Sequence, residues 1–174
     1  VPWLWVLLAV LLTAFGVAFV LSATAQADGS WGSGGLKQIV WWGLSLVAFA
    51  VVLHLAPKQW QGLAWLAYGG ALMIQGFMLA AAGTPIVPEV KGAHNWLRLG
   101  PISLQPSEFY KLATILACAQ LLADRRQDVS RLSVVIATLA VAGLPALLLA
   151  KEDLGSAMTF VPMVLGMLLL AGMR

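Results

Sequence analysis

The chain has 174 residues, of which 61% are hydrophobic and 10% charged, with a mean hydropathy of +0.91 and a formal charge of +3. A soluble domain carries about 25% charged residues, so the composition excludes a soluble protein and indicates an all-α, polytopic transmembrane helical bundle. The ten Lys and Arg residues fall in separate short loops without forming a basic stripe, which argues against nucleic acid as a partner.

A helix that crosses a bilayer needs about 20 mostly apolar residues. Six runs approach that length: Val1–Leu21, Ile39–Leu55, Gly62–Ala82, Ser107–Ala123, Leu132–Leu149 and Ser156–Gly172. The first is followed by Ala23-Thr24-Ala25-Gln26-Ala27, which has the small residues of a signal-peptide cleavage site. The run is longer than a signal core and lacks a basic leader, so it is read as a span. Asp28–Gly35 is a Gly/Ser-rich loop of flexible composition. Trp41-Trp42 is an interfacial aromatic anchor, and His54 closes the second span at headgroup level. A long polar passage, Gly83 to Leu104, separates spans three and four. Asp124–Arg131 is a compact polar loop, Pro145 is expected to kink span five, and Lys151-Glu152-Asp153 links it to span six. The single cysteine, Cys118, lies in an apolar run and reads as a small buried hydrophobe. The absence of an initial Met and the end of the chain at Arg174, directly after a span, are expected of a piece of a longer protein.

Orientation follows from the loop cations. Odd-numbered loops hold Lys37, Lys91, Arg98 and Lys151; even-numbered loops and the C-terminus hold Lys58, Arg125, Arg126, Arg131 and Arg174. The three arginines crowded into one short loop outweigh scattered cations. Both termini are therefore expected in the cytoplasm, with the Gly83–Leu104 passage and the Lys151–Asp153 link outside.

Ionisable residues within or beside a span mark candidate sites, because an unpaired charge in lipid costs roughly 2.5–3.5 kcal/mol on insertion scales. Gln105-Pro106-Ser107-Glu108 reads as a helix start, with Pro106 at the first helical position and Glu108 where a carboxylate can cap free N–H groups. Lys111 lies one turn deeper on the same face and opposes the helix dipole. It must snorkel outward or find a carboxylate and water. Glu152 and Asp153, in the next outward-facing link, are the other candidate carboxylates, and Glu108, Lys111 and Asp153 are expected to form a hydrated cluster at the outer end of the bundle. Such a cluster suits proton removal from a hydroxyl, stabilisation of a departing phosphate, proton relay or substrate translocation, and the residues alone leave these open. Trp96 suits either an interfacial belt or the lining of a sugar or lipid headgroup.

Gly92-Ala93-x-x-Trp96-Leu97 followed by Gln105-Pro106-Ser107-Glu108-x-x-Lys111 resembles the signature of the SEDS family of bacterial morphogenesis proteins, which includes RodA, FtsW and SpoVE. Asp153-Leu154-Gly155-Ser156-Ala157 resembles the family's second signature. Two departures stand out: Asn95 occupies the place of a common Arg before the tryptophan, and Lys151-Glu152 replaces the usual Gln-Pro. The loops favour the RodA branch over FtsW. The resemblance implies a peptidoglycan glycosyltransferase that polymerises lipid II, an undecaprenyl-pyrophosphate-linked disaccharide peptide, at the outer face of the bacterial cytoplasmic membrane. A class B penicillin-binding protein is the implied partner. A flippase for lipid-linked precursors and a non-catalytic scaffold for a transpeptidase are the alternatives. Residue by residue, the resemblance makes Glu108, Lys111 and Asp153 catalytic cavity-lining groups and assigns substrate contacts to Trp96, Arg98 and Gln105. A divalent cation, Mg2+ or Mn2+, is the one cofactor it admits, although the sequence carries no metal-ligand motif. Family members have about ten spans of roughly 20 residues each. These 174 residues are therefore expected to be a single transmembrane unit from the N-terminal part, inactive alone, with the principal catalytic Asp on a later loop.

Overall fold

The computed structural model describes residues 3–24, 33–90, 92–100, 102–125 and 129–173. Residues 25–32, which hold part of the cleavage-like stretch and most of the Gly/Ser-rich loop, lie outside the described residues, as do Lys91, Arg126 and Arg174. The chain packs as two compact units, Val1–Ala56 and Pro57–Arg174.

The first unit is a pair of helices, α1 (Trp3–Thr24) and α2 (Ser33–His54). Helix α2 starts at Ser33, so the last three residues of the expected loop are helical. Val6, Ala9, Val10 and Thr13 face Trp42, Ser45, Leu46 and Phe49 across a groove. The Thr13 and Ser45 hydroxyls donate back to the carbonyls of Ala9 and Trp41 one turn earlier, which satisfies them without water. His54 ends α2, with Nδ1 2.8 Å from the Ala50 carbonyl oxygen.

The second unit holds α3 (Pro57–Ala80), a short hairpin β1 (Leu97–Leu99) and β2 (Ile102–Leu104), α4 (Ser107–Asp124), α5 (Leu132–Ala150), α6 (Leu154–Met158) and α7 (Phe160–Leu170). Of the six expected spans, four of the described helices, α1, α2, α3 and α5, are long and apolar enough to cross a bilayer by themselves. Helix α4 is diluted by Glu108, Lys111 and Asp124. The sixth run, Leu154–Leu170, is a shorter apolar helix that continues through Thr159, whose dihedrals are helical. At 1.5 Å per residue it reaches about 25 Å, short of the roughly 30 Å hydrocarbon core. Helices α4, α5 and α7 close on a core of Cys118, Leu122, Val134, Ala142, Val164 and Leu168, so the cysteine is buried as expected. A second cluster, Tyr110, Leu149, Ala157 and Phe160, lies under the α5–α6 link.

Pro145 sits inside α5 and is fully buried. Lacking an N–H, it leaves the Val141 carbonyl, four residues earlier, without its helical donor. The Tyr68 hydroxyl of α3 donates to that carbonyl at 2.7 Å. One helical face along α3, Gln75 donates to the Pro145 carbonyl at 3.3 Å. Polar side chains of one span thus repair the backbone of another, the usual condition for proline at membrane depth. Removing the hydroxyl with Tyr68→Phe should cost about 1–3 kcal/mol, the price of an orphaned buried carbonyl. In a Pro145→Ala background, where the alanine N–H can bond to Val141, the same change should cost distinctly less. Unfolding of the four proteins in detergent micelles checks this, and equal costs in both backgrounds would refute the repair.

Candidate functional site

The long passage between α3 and α4 is folded back on itself. Val87 is fully buried, and the Arg98 N–H donates to the Ile86 carbonyl at 2.8 Å. Leu97 pairs with Leu104, Arg98 with Ser103 and Leu99 with Ile102 in antiparallel register. The chain reverses through Gly100 at φ +62°, a conformation L side chains rarely adopt. Sequence reading missed this hairpin, although Leu-Arg-Leu and Ile-Ser-Leu around Gly-Pro carry its alternation. Its consequence is positional: the passage delivers His94, Asn95 and Gln105 to the α5–α6 link.

There Asp153 caps α6. Its Oδ1 accepts the Ser156 backbone N–H at 2.9 Å. Its Oδ2 accepts the Ser156 hydroxyl at 2.8 Å and the side-chain amides of Asn95 and Gln105, each at 3.2 Å. The Ser156 N–H is the chief influence holding the Asp153 carboxyl below the usual carboxylate range. Partial burial pushes the other way, and the Ser156 hydroxyl, the Asn95 amide and the charge of Lys111 assist the lowering. Its neighbour Glu152 accepts the His94 backbone N–H at 2.9 Å and faces His94 Nδ1 at 3.2 Å through the same oxygen. A ring nitrogen facing a carboxylate carries the proton. The His94 N–H is the main cause of the lowered Glu152 carboxyl. His94 was not among the expected site residues, whereas Glu152 was a candidate carboxylate of the outward-facing link with no partner named. Glu152 stands at a departure from the family pattern, and only its juxtaposition with the long passage gives it a partner.

Helix α4 begins as its sequence suggests. Pro106 has helical dihedrals, and its carbonyl accepts from the N–H groups of Phe109 and Tyr110. Glu108 does not cap this helix end through its side chain. Instead its Oε1 accepts from Lys111 Nζ at 2.8 Å, with Glu108 exposed and Lys111 23% exposed. The expected cluster therefore has two parts: an intrahelical ion pair, Glu108–Lys111, and the Asp153 carboxylate clamped by the loop, which feels Lys111 through its field. Gln105 contacts Asp153 directly; Trp96 is half-buried before β1, and the Arg98 side chain is exposed.

Beside the ion pair, α3 and α4 bound an apolar groove of about 500 Å³. It is lined by Gly70, Ile74, Leu97, Leu104, Phe109 and Leu112, among others. No three His, Cys, Asp or Glu side chains among the described residues converge to hold a metal ion. The Asp153 oxygens are also largely occupied by donors, so these residues do not fit the expected divalent cation.

A family model described as "Cell cycle protein", covering FtsW, RodA and SpoVE, matches residues 2–174. The chain belongs to the FtsW/RodA/SpoVE family. It is 34% identical over 175 residues to a protein named probable peptidoglycan glycosyltransferase FtsW from Aeromonas salmonicida, covering 97% of this chain and 43% of that one. The crystal structure of Thermus thermophilus RodA matches with a TM-score of 0.82 and 28% identity, over 99% of this chain and 54% of that chain. A chain of a peptidoglycan synthase complex described as coordinating polymerization and crosslinking matches with a TM-score of 0.70 at 28% identity, over 94% of this chain and 46% of its own length. The chain thus spans about half the length of the FtsW/RodA relatives it matches, and shares the helical membrane fold of RodA. FtsW-named sequences and RodA structures both match, so these comparisons establish the family and leave the branch open.

The lowered carboxyls of Glu152 and Asp153 have a consequence for stability. A carboxyl whose folded pKa lies below its unfolded value, about 4, stabilises the fold above that value. The contribution is lost as pH falls through the folded pKa. Melting temperature should therefore be level between about pH 7 and 5 and fall on further acidification. Asp153→Asn should lower it at neutral pH and flatten the acid decline; an unchanged decline would show that the ionised carboxylate does not hold the loop.

Proposed function

We propose that this chain forms one wall of a peptidoglycan glycosyltransferase that polymerises lipid II at the outer face of the cytoplasmic membrane. The single observation that carries this reading is the neighbourhood of a fixed carboxylate, a paired ammonium and an apolar groove at one end of the second unit. A lipid-linked sugar donor has a matching division, with a polyprenyl tail for the groove and a pyrophosphate for the cation. Names of the relatives, peptidoglycan glycosyltransferase and RodA, support the same reaction class.

In this reading the acceptor sugar hydroxyl attacks the anomeric carbon of the donor, the glycosidic bond forms, and the bond to undecaprenyl pyrophosphate breaks. Lys111 offsets the negative charge that grows on the departing pyrophosphate. Glu108 holds that ammonium in place, one turn away. Asp153 is a poor proton acceptor, because four hydrogen bonds stabilise its ionised form and a general base works best with a pKa near the operating pH. Its role is to fix the loop and to add a negative field near Lys111. The proton acceptor belongs to the part of the protein beyond these residues. Trp96, Arg98 and Gln105 border the polar end, where the disaccharide would lie. The long passage faces outward with both termini of the chain in the cytoplasm, and a class B penicillin-binding protein is the partner, in keeping with the match to a peptidoglycan synthase complex.

The test uses the full-length protein in detergent with purified lipid II. Lys111→Ala should lower polymerisation by about 100-fold, the scale of losing one charge-stabilising group, while Lys111→Arg should retain part of it. Unchanged polymerisation would overturn the reading. Loss of headgroup translocation in vesicles with polymerisation intact would favour a flippase, and a loss of melting temperature alone would favour a scaffold.

A further inference from the structure

Behind the loop, between α3, α4 and the end of α5, lies a cavity of about 20 Å³ lined by Gln75, Asn95, Ser107, Tyr110 and Glu152, among others. Gln75, Ser107 and Tyr110 are each at least 97% buried. Four buried polar atoms on its lining, Gln75 Oε1, Asn95 Oδ1, Ser107 Oγ and Tyr110 Oη, have no hydrogen-bond partner among the described residues. Orphaned atoms of this kind are rare in native interiors and each costs about 1–3 kcal/mol, so four on one cavity call for a common partner.

The chemistry of the four atoms specifies that partner. Amide orientation is ambiguous in isolation, but here both amides are fixed from their other ends. Gln75 Nε2 donates to the Pro145 carbonyl, and Asn95 Nδ2 donates to the Asp153 carboxylate. Each therefore turns its oxygen, an acceptor, to the cavity. Ser107 and Tyr110 bring hydroxyls, each with a proton to give. Two acceptors and two donors match the two protons and two lone pairs of one water molecule. The volume also matches, since one water needs at least 10–15 Å³. A hard cation fits less well: it would seek six or more oxygens, would leave both hydroxyl protons without an acceptor, and would find Glu152 Oε2 already engaged by His94.

We propose that this cavity is the binding site of a single buried water that positions Asn95, and through Asn95 the Asp153 carboxylate. Gln75, Ser107 and Tyr110 are then positioning residues: none touches Asp153, but together they hold the far end of the amide that does. The water also ties α3 and the start of α4 to the loop. This inference rests on the hydrogen-bond inventory and not on the polymerase reading.

Two measurements on the full-length protein test it. A structure at a resolution that shows ordered waters should contain one water-sized peak bonded to all four atoms. An empty cavity would overturn the proposal, as would an ion revealed by anomalous scattering after rubidium exchange. In bilayers, nitrogen-15 solid-state NMR should show magnetisation transfer from water to the Asn95 side-chain amide. Tyr110→Phe and Gln75→Met should each abolish that transfer and shift the Asn95 signal, while Leu79→Val, an apolar change on the same lining, should leave both intact. An Asn95 signal unmoved by Tyr110→Phe in a folded protein would refute the positioning role.

Discussion

A carboxylate at the edge of a hydrocarbon bundle survives only where donors surround it, and Asp153 is where the second unit meets that condition. Two of its four donors come from Ser156, three residues on; the others, Asn95 and Gln105, arrive from a passage 58 and 48 residues away in sequence. The long passage is docked because the anion requires donors, and the anion stays ionised because the passage is docked. Glu152 repeats the arrangement on a smaller scale with His94. Pulling either acid away would leave a loop without its anchor and an unpaired charge beside apolar helices.

The Glu108–Lys111 pair obeys a different logic. It lies on one helix face, partly open to solvent, and such a pair adds little to stability. Its value lies in location, beside a groove lined almost wholly by carbon and within electrostatic reach of Asp153. An anionic clamp stands on one side and a paired, partly exposed ammonium on the other, and in the proposed reading the first holds the frame while the second meets the substrate.

Much of the helical pattern could be read from the sequence because hydrocarbon content over 20-residue windows is a strong signal. The start of α4 was legible too, since Pro106 and the residues around it carry helix-start chemistry. Three features were not. The β1–β2 hairpin has strands of only three residues, too short for alternation to stand out within a long polar passage. The roles of His94 and Glu152 depend on two segments meeting in space, and neither segment names the other. The roles of Tyr68 and Gln75 depend on a proline in another span, and a polar side chain at membrane depth was the available clue. The family signature singled out Glu108, Lys111, Gln105 and Asp153, and the three-residue spacing put Glu108 and Lys111 on one face, but it left open whether Glu108 would serve the helix end or the ammonium.

Because Glu108 and Lys111 are one turn apart, their charges neutralise each other without help from any other helix. The pair therefore forms as soon as the first turns of α4 are helical, whether or not its neighbours have docked. Asp153 has no such independence, since half of its donors are supplied only after the preceding passage has folded over. Folding would then proceed in a fixed order, with the ion pair closed early inside one helix and the carboxylate secured last, once the preceding passage has come down on it.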